Sequence, residues 1–184
     1  MTLKKTKDLV GSHAKEGAEP IVFFLDEARF GLMTTISRIW AEKGKPLKVK
    51  VKQGRKNFHF AAAVSPFTGE AVMAPFPLLC VETMASFLKL IGQSFPDKII
   101  LLIMDGAGWH TSPKLVVPDN IRIVKLPPYS PDLNPIEKLW KHIRQEALHN
   151  RLFESLDELF AAVSDALSRL GVSDLMRICA CHYL

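Results

Sequence analysis

The apolar positions change period along the chain, and the changes mark out its elements. Ile21-Val22-Phe23-Phe24-Leu25 is a short unbroken apolar run rich in β-formers, the pattern of a strand buried on both faces. Phe30 to Trp40, rich in Thr and Ile, reads as a hairpin partner for it. Asn57 to Ser65 predicts a third strand that ends at the turn Ser65-Pro66-Phe67-Thr68-Gly69. Glu70 to Phe76 predicts a fourth, placed at a sheet edge by its prolines. The period then becomes helical at Val81, Ala85, Leu88 and Ile91. Ile99 to Met104 is the clearest buried strand and stops abruptly at Asp105, and Ile121 to Leu126 is another. From Asn134 the chain reads as helical almost to its end, with breaks near Asn150 and Gly171. Early strands followed by alternating strands and helices predict an α/β protein, a mixed sheet with helices on its faces.

At 184 residues the chain has the size of one domain able to bury its own core. Its longest stretch free of charged and strongly polar residues, Ala71 to Val81, is interrupted by Pro75 and Pro77 and falls short of the ~20 apolar residues of a membrane span. No secretory signal follows the cationic start, so the expected compartment is the cytoplasm. Three cysteines without a CxxC spacing argue against a disulfide framework or a zinc ribbon. The net charge of +5 is unevenly placed: seven cations and no acid lie between Lys43 and Lys56, while the remainder has 17 basic and 19 acidic residues. A cationic segment on a slightly acidic body suits a polyanion, although a solvated loop has the same composition.

Three acids stand at the predicted ends of elements. Asp26 follows the first apolar run, Asp105 follows the clearest strand, and Glu137 opens the helix after a loop holding four prolines in the nine residues Pro127 to Pro135. Chemistry in open sheets gathers beyond the carboxyl ends of strands. Three converging carboxylates repel one another unless cations neutralise them, and hard oxygen ligands select Mg²⁺ or Mn²⁺. The spacing also admits plainer roles: solvated turn residues, and a capping box with Asn134 as N-cap, Pro135 at the first helical position and Glu137 at the third.

The words around the acids separate these alternatives. Phe24-Leu25-Asp26-Glu27, Met104-Asp105-Gly106-Ala107-Gly108-Trp109-His110 and the run from Leu126 through Asn134-Pro135-Ile136-Glu137 to Trp140 form an ordered set. From about Ile21 to Ala147 the chain resembles the catalytic domain of DDE transposases of the mariner-like superfamily, in its bacterial insertion-sequence branch. The last of the three motifs is highly specific, whereas the first is weak alone. The resemblance implies a ribonuclease H-like fold, a mixed five-stranded sheet flanked by helices, over residues 20–184, with 1–19 as an N-terminal arm or linker remnant. It implies that Asp26, Asp105 and Glu137 are the catalytic triad and ligands of two Mg²⁺ ions, for which Mn²⁺ substitutes. In that scheme Asp26 bridges both ions, and each of the other two acids completes one site.

The implied activity is metal-dependent DNA strand cleavage and strand transfer at transposon ends. The implied partner is double-stranded DNA, both transposon ends and target, and the setting is cytoplasmic and nucleoid-associated. Relatives carry a basic hairpin after the first strand. The matching region here includes Arg29, Arg38 and Trp40, and its Lys48, Lys50, Lys52, Arg55 and Lys56 are expected to grip DNA phosphates. His110 fits the family's Asp-to-His motif and is expected at the DNA, with a hydrogen-bonding role at the strand edge as the alternative. Trp109 either stacks on a nucleotide or packs.

Ile136, Leu139, Trp140, Ile143 and Ala147 share one helical face, which assigns Trp140 to the core. Lys138, Lys141, His142 and Arg144 lie off that stripe, facing either DNA or solvent. Asp132 suits a turn role, and Glu27 points away from Asp26. The 31 residues between Asp105 and Glu137 are a little fewer than in eukaryotic relatives, and Gly106 stands where many relatives have Asn. Full-length relatives carry an N-terminal helix-turn-helix region for which the residues before Ile21 are too few. A separate polypeptide supplying it, a fragment and a decayed remnant are the accounts that remain. A homodimer fits the way family members assemble on paired ends. Two rival functions differ in class: a catalytically silent regulator that binds DNA or full-length transposase, and a host ribonuclease on the same fold, which the proline loop disfavours.

Overall fold

The fold was analysed in a computed structural model, which describes residues 20–32, 43–44, 56–106, 112–127, 130–149 and 151–181. Five strands form one sheet: β1 (Ile21–Gly31), β2 (Asn57–Val64), β3 (Ala71–Phe76), β4 (Ile100–Met104) and β5 (Ile121–Lys125). Their order across the sheet is β3-β2-β1-β4-β5. β2 pairs antiparallel with β1 and β3, whereas β4 pairs parallel with β1 and β5. The helices are α1 (Val81–Ser94), α2 (Ile136–Ile143), α3 (Leu156–Ser168) and α4 (Val172–Ile178). A π-helical turn, Arg144–Leu148, continues α2.

The predicted mixed sheet is therefore present, with one correction at its centre. β1 does not end before Asp26 but runs on to Gly31, so Phe30 belongs to β1 rather than to a strand pairing with it. The cause is a change of period. Ile21 to Leu25 is buried against helices on both sides, while from Asp26 onward the strand alternates, with Ala28 and Phe30 inside and Glu27 and Arg29 outside or at the margin. The continuation is held by β2, whose residues Asn57 to Ala62 pair with Gly31 to Asp26. Residues 33–40 of the expected hairpin strand and the arm at 1–19 lie outside the described residues.

Each face of the sheet has its own core. On one, Phe23, Leu25, Ala61, Ala63, Ile100, Leu102 and Met104 meet Met84, Phe87, Leu88 and Ile91 of α1. On the other, Phe24, Ala28, Phe30, Phe58, Phe60 and Ile103 meet the stripe Ile136, Leu139, Trp140, Ile143 and Ala147, together with Leu159 and Val163 of α3. The predicted stripe is buried throughout, and Trp140 packs its edge against Phe30 with ring centroids 6.1 Å apart. The π turn changes the register at the end of α2, which brings both Ala147 and Leu148 to the core.

Among the described residues no helix is long and apolar enough to cross a membrane.

The turn between β2 and β3 closes through Gly69 N–H donating to Ser65 C=O at 2.8 Å, with Gly69 at φ +72°. A Cβ there would stand 2.5 Å from the Val172 carbonyl oxygen at the start of α4. Gly69→Ala should therefore combine backbone strain with a clash and cost about 1–3 kcal/mol of unfolding free energy. Chemical denaturation checks this, and a wild-type midpoint would contradict it.

Candidate active site

The parallel ladder between β1 and β4 pairs Ile21 with Ile100 through Phe24 with Ile103. Two residues further along the same register, Asp26 comes level with Asp105, on strands ~4.8 Å apart. Partners in a parallel ladder present their side chains to the same face. Phe24, Ala28 and Ile103 face the α2 side, so the parity carries Asp26 and Asp105 to that side too. Ala62 of β2, fully buried, is the residue opposite Asp26 on its other flank, and it leaves the acid uncrowded. Glu27, one residue on, has the opposite parity, as expected.

The third acid arrives on α2, and Asn134 fixes where that helix starts. After a single 3₁₀ turn at Pro131–Leu133, the buried Asn134 donates its side-chain N–H to the Leu25 carbonyl at 3.0 Å. Its Oδ1 accepts from the Ile136 backbone N–H at 3.2 Å. One side chain thus ties the beginning of α2 to the residue preceding Asp26, across 109 positions of sequence. The helix boundary falls one residue later than the expected N-cap, at Pro135, whose φ of −65° and ψ of −16° are already helical. No side-chain capping bond is made by Pro135, and Glu137 lies in the exposed first turn, on the sheet face that carries Asp26.

The electrostatics register this convergence. The Asp26 carboxyl is pushed up from 3.8 to about 7, first by burial, then by the charges of Glu137 and Glu27, with a smaller push from Asp105. The backbone hydrogen bond from Glu27 opposes the shift and is outweighed. Asp105 and Glu137 are exposed. Among the described residues no group of three or more His, Cys, Asp or Glu side chains stands ready-made to hold a metal ion. The three acids lie on one face of the sheet, level with the carboxyl end of β4. The donor set, carboxylate oxygens alone, fits a hard divalent cation.

Of the residues expected at DNA, Lys56 is exposed at the threshold of β2. Lys48, Lys50, Lys52, Arg55 and His110 lie outside the described residues, as do Arg38, Trp40 and Trp109. Sequence reasoning treated Asn134 only as a cap, because its bond to Leu25 is tertiary and has no local signature. It also left unassigned an open cleft of about 400 Å³ beside the acids, lined by Asp132, Asn134, Glu137, Lys138, Lys141 and Arg144.

A sheet whose central parallel strands each contribute an acid to one face, with a helix delivering a third, defines the acid-bearing class of the ribonuclease H-like fold. Residues 21–160 match the family model described as DDE superfamily endonuclease. The chain belongs to that family. It is 41% identical over 109 residues to the uncharacterized protein y4pE/y4sA of Sinorhizobium fredii, a match covering 59% of this chain and 81% of that one. It is 26% identical over 151 residues to the insertion element IS630 uncharacterized 39 kDa protein of Shigella sonnei, covering 79% of this chain and 44% of that protein. The Mos1 mariner paired-end complex with Mn has the same fold, with a TM-score of 0.67 at 15% identity, covering 96% of this chain and 57% of the Mos1 chain. The chain thus spans about half the length of the IS630 and Mos1 proteins.

The raised carboxyl has a consequence for stability. The folded state holds a proton on Asp26 more tightly than the unfolded chain does, so the stability linked to it is complete below pH 3.8 and is lost as pH rises through about 7. The metal-free protein should therefore lose stability between pH 4 and 8, by on the order of 4 kcal/mol at most from this group. Asp26→Asn should remove that slope and be the more stable form at pH 8. Thermal melts across this range in EDTA test the claim, which fails if the two proteins show parallel pH profiles. Asn134→Ala strips a buried carbonyl of its donor and should cost about 1–3 kcal/mol, measurable by the same melts.

Proposed function

We propose that this chain is a transposase catalytic domain that cleaves DNA strands at transposon ends and transfers them to a target, with Asp26, Asp105 and Glu137 as its catalytic acids. One observation supports the proposal: acids from three separate segments lie on one face of the sheet near the carboxyl end of β4, two through the β1–β4 register and the third through the Asn134 tether. In this reading Asp26, Asp105 and Glu137 would hold two Mg²⁺ ions, with Asp26 a ligand of both and Asp105 and Glu137 each a ligand of one, and Mn²⁺ would substitute. When bound, the metal pair would supply activation of the attacking hydroxyl and charge neutralisation at the leaving 3′-oxygen.

The chain's own residues do the positioning. Asp26, half-buried and rigidly held by strands on both sides, sets the origin of the site. Asp105, just past the end of β4, and Glu137, in the first turn of α2, approach from the solvent side, where a phosphodiester can enter. Water and a DNA 3′-hydroxyl are interchangeable nucleophiles for an in-line displacement at phosphorus, so one set of acids serves both cleavage and joining. No covalent enzyme intermediate is required.

The reading extends to 20–184 as one catalytic domain preceded by an arm at 1–19. The DNA contacts are assigned to Lys48, Lys50, Lys52, Arg55, Lys56 and His110. The partners are double-stranded DNA and a second copy of the chain, and the setting is the cytoplasmic nucleoid. The structural support for the cationic segment is topological: the β1–β2 pairing ends at Gly31–Asn57, so the connecting sequence leaves the sheet at the end toward which β1 runs after Asp26.

The test is nicking of supercoiled plasmid in Mn²⁺. Wild type should nick, whereas Asp105→Ala and Glu137→Ala should fall to the level of a protein-free control while keeping wild-type melting temperatures. Nicking that survives Glu137→Ala would remove that residue from the triad. A folded wild type that binds DNA without nicking would favour the silent regulator.

A further inference from the structure

Glu137 stands in the part of α2 that its own backbone holds least. The first N–H groups of a helix have no partner within it, so a first turn depends on groups outside the regular ladder. Here the Glu137 N–H donates to the Asn134 C=O at 3.2 Å and the Lys138 N–H to the Pro135 C=O at 3.1 Å. Asn134 ties that turn to β1 through Leu25. Lys138 supplies a second tie. Its exposed side chain donates from Nζ to the Ala180 C=O at 2.6 Å, across 42 positions of sequence. A hydrogen bond from an ammonium is charge-assisted and stronger than one between neutral groups.

The carbonyl that Lys138 binds belongs to a segment that is itself anchored. The Cys179 N–H donates to the Leu175 C=O at 2.9 Å and closes α4. Cys179 is fully buried in the core that holds Ile136 and Leu139, and the half-buried Cys181 packs against the same core. Burial pushes both thiols up, and the Lys138 charge opposes that push at each of them. At Asp26, by contrast, the charges that add to burial are those of Glu137, Glu27 and Asp105. The cation next to Glu137 in sequence is therefore spent on the C-terminal segment.

We infer that Lys138 is a positioning residue for Glu137: its bond to Ala180 makes residues 179–181 part of the scaffold that fixes where the third acid stands. Glu137 is then flanked by two ties, Asn134 to the sheet and Lys138 to the segment after α4. The consequence for metal rests on the proposed role of Glu137 as a ligand, whereas the tether is measured without metal.

The experiment pairs hydrogen exchange by mass spectrometry in EDTA with a Mn²⁺ titration read from the free ion's electron paramagnetic resonance. Lys138→Met keeps the stem and removes the donor, while Lys138→Arg keeps a charged donor. The peptide holding the first turn of α2 should exchange faster in Lys138→Met, with peptides from β1 and α1 unchanged, and Lys138→Arg should restore the protection. Lys138→Met should also bind Mn²⁺ on the order of tenfold more weakly, with Lys138→Arg close to wild type. The sign separates position from charge, because removing a cation beside acids would by itself tighten Mn²⁺ binding. In a Glu137→Ala background Lys138→Met should weaken Mn²⁺ binding no further.

Unchanged exchange in the first turn would overturn the inference. So would a Lys138→Arg as weak as Lys138→Met, or a lower melting temperature in Lys138→Met with Mn²⁺ affinity intact, which would mean a structural bond only. The two readings fail separately. Loss of Mn²⁺ affinity in Glu137→Ala but not in Lys138→Met refutes the positioning role alone. Full Mn²⁺ affinity in Glu137→Ala, with a loosened first turn in Lys138→Met, refutes the ligand role of Glu137 alone.

Discussion

The parallel pairing of β1 with β4 is the constraint on which the other features depend. It joins an antiparallel three-stranded half, β3-β2-β1, to a parallel half, β1-β4-β5, and the change of direction occurs where the acids lie. Because β4 stops at Met104 while β1 continues to Gly31, the chain leaves β4 beside a strand that is still running. That asymmetry sets Asp105 at a solvent-facing step level with a half-buried Asp26. A shift of this ladder by one residue would reverse the parity of one strand and send the two acids to opposite faces. The apolar content of Ile100 to Met104, buried throughout, is what holds the register in place.

Around that step the protein combines a tightly satisfied scaffold with an unsatisfied charge. Asn134 spends its amide on Leu25 and its oxygen on Ile136, and the stripe on α2 is sealed by Phe30, Phe24 and Ala28. By contrast, Asp26 is held where its ionised form is disfavoured by burial and by neighbouring acids. A divalent cation among the carboxylates would outweigh both effects, replacing their mutual repulsion with shared attraction to the ion.

How much of this was legible in the sequence depended on whether the signal was periodic or tertiary. The α2 stripe and the β4 strand were readable because burial repeats at 3.6 residues in one and is continuous in the other. The extent of β1 was not, because its pattern changes from buried on both faces to alternating at Asp26, and a change of period looks like an end. The positions of Asp26, Asp105 and Glu137 in chain order were readable from their motifs. Their common face required the ladder register, which no local pattern encodes. Asn134 was recognised as a cap, but its bond to Leu25, the longer-range half of its role, had no counterpart in the sequence.

The central claim is that these three carboxylates together hold the divalent cations. Anomalous diffraction from crystals grown with Mn²⁺ tests it directly. The account predicts anomalous density beside the Asp26 carboxylate, shared with Asp105 on one side and Glu137 on the other. Density at Asp132 alone, or none near Asp26 in an otherwise well-ordered crystal, would contradict it.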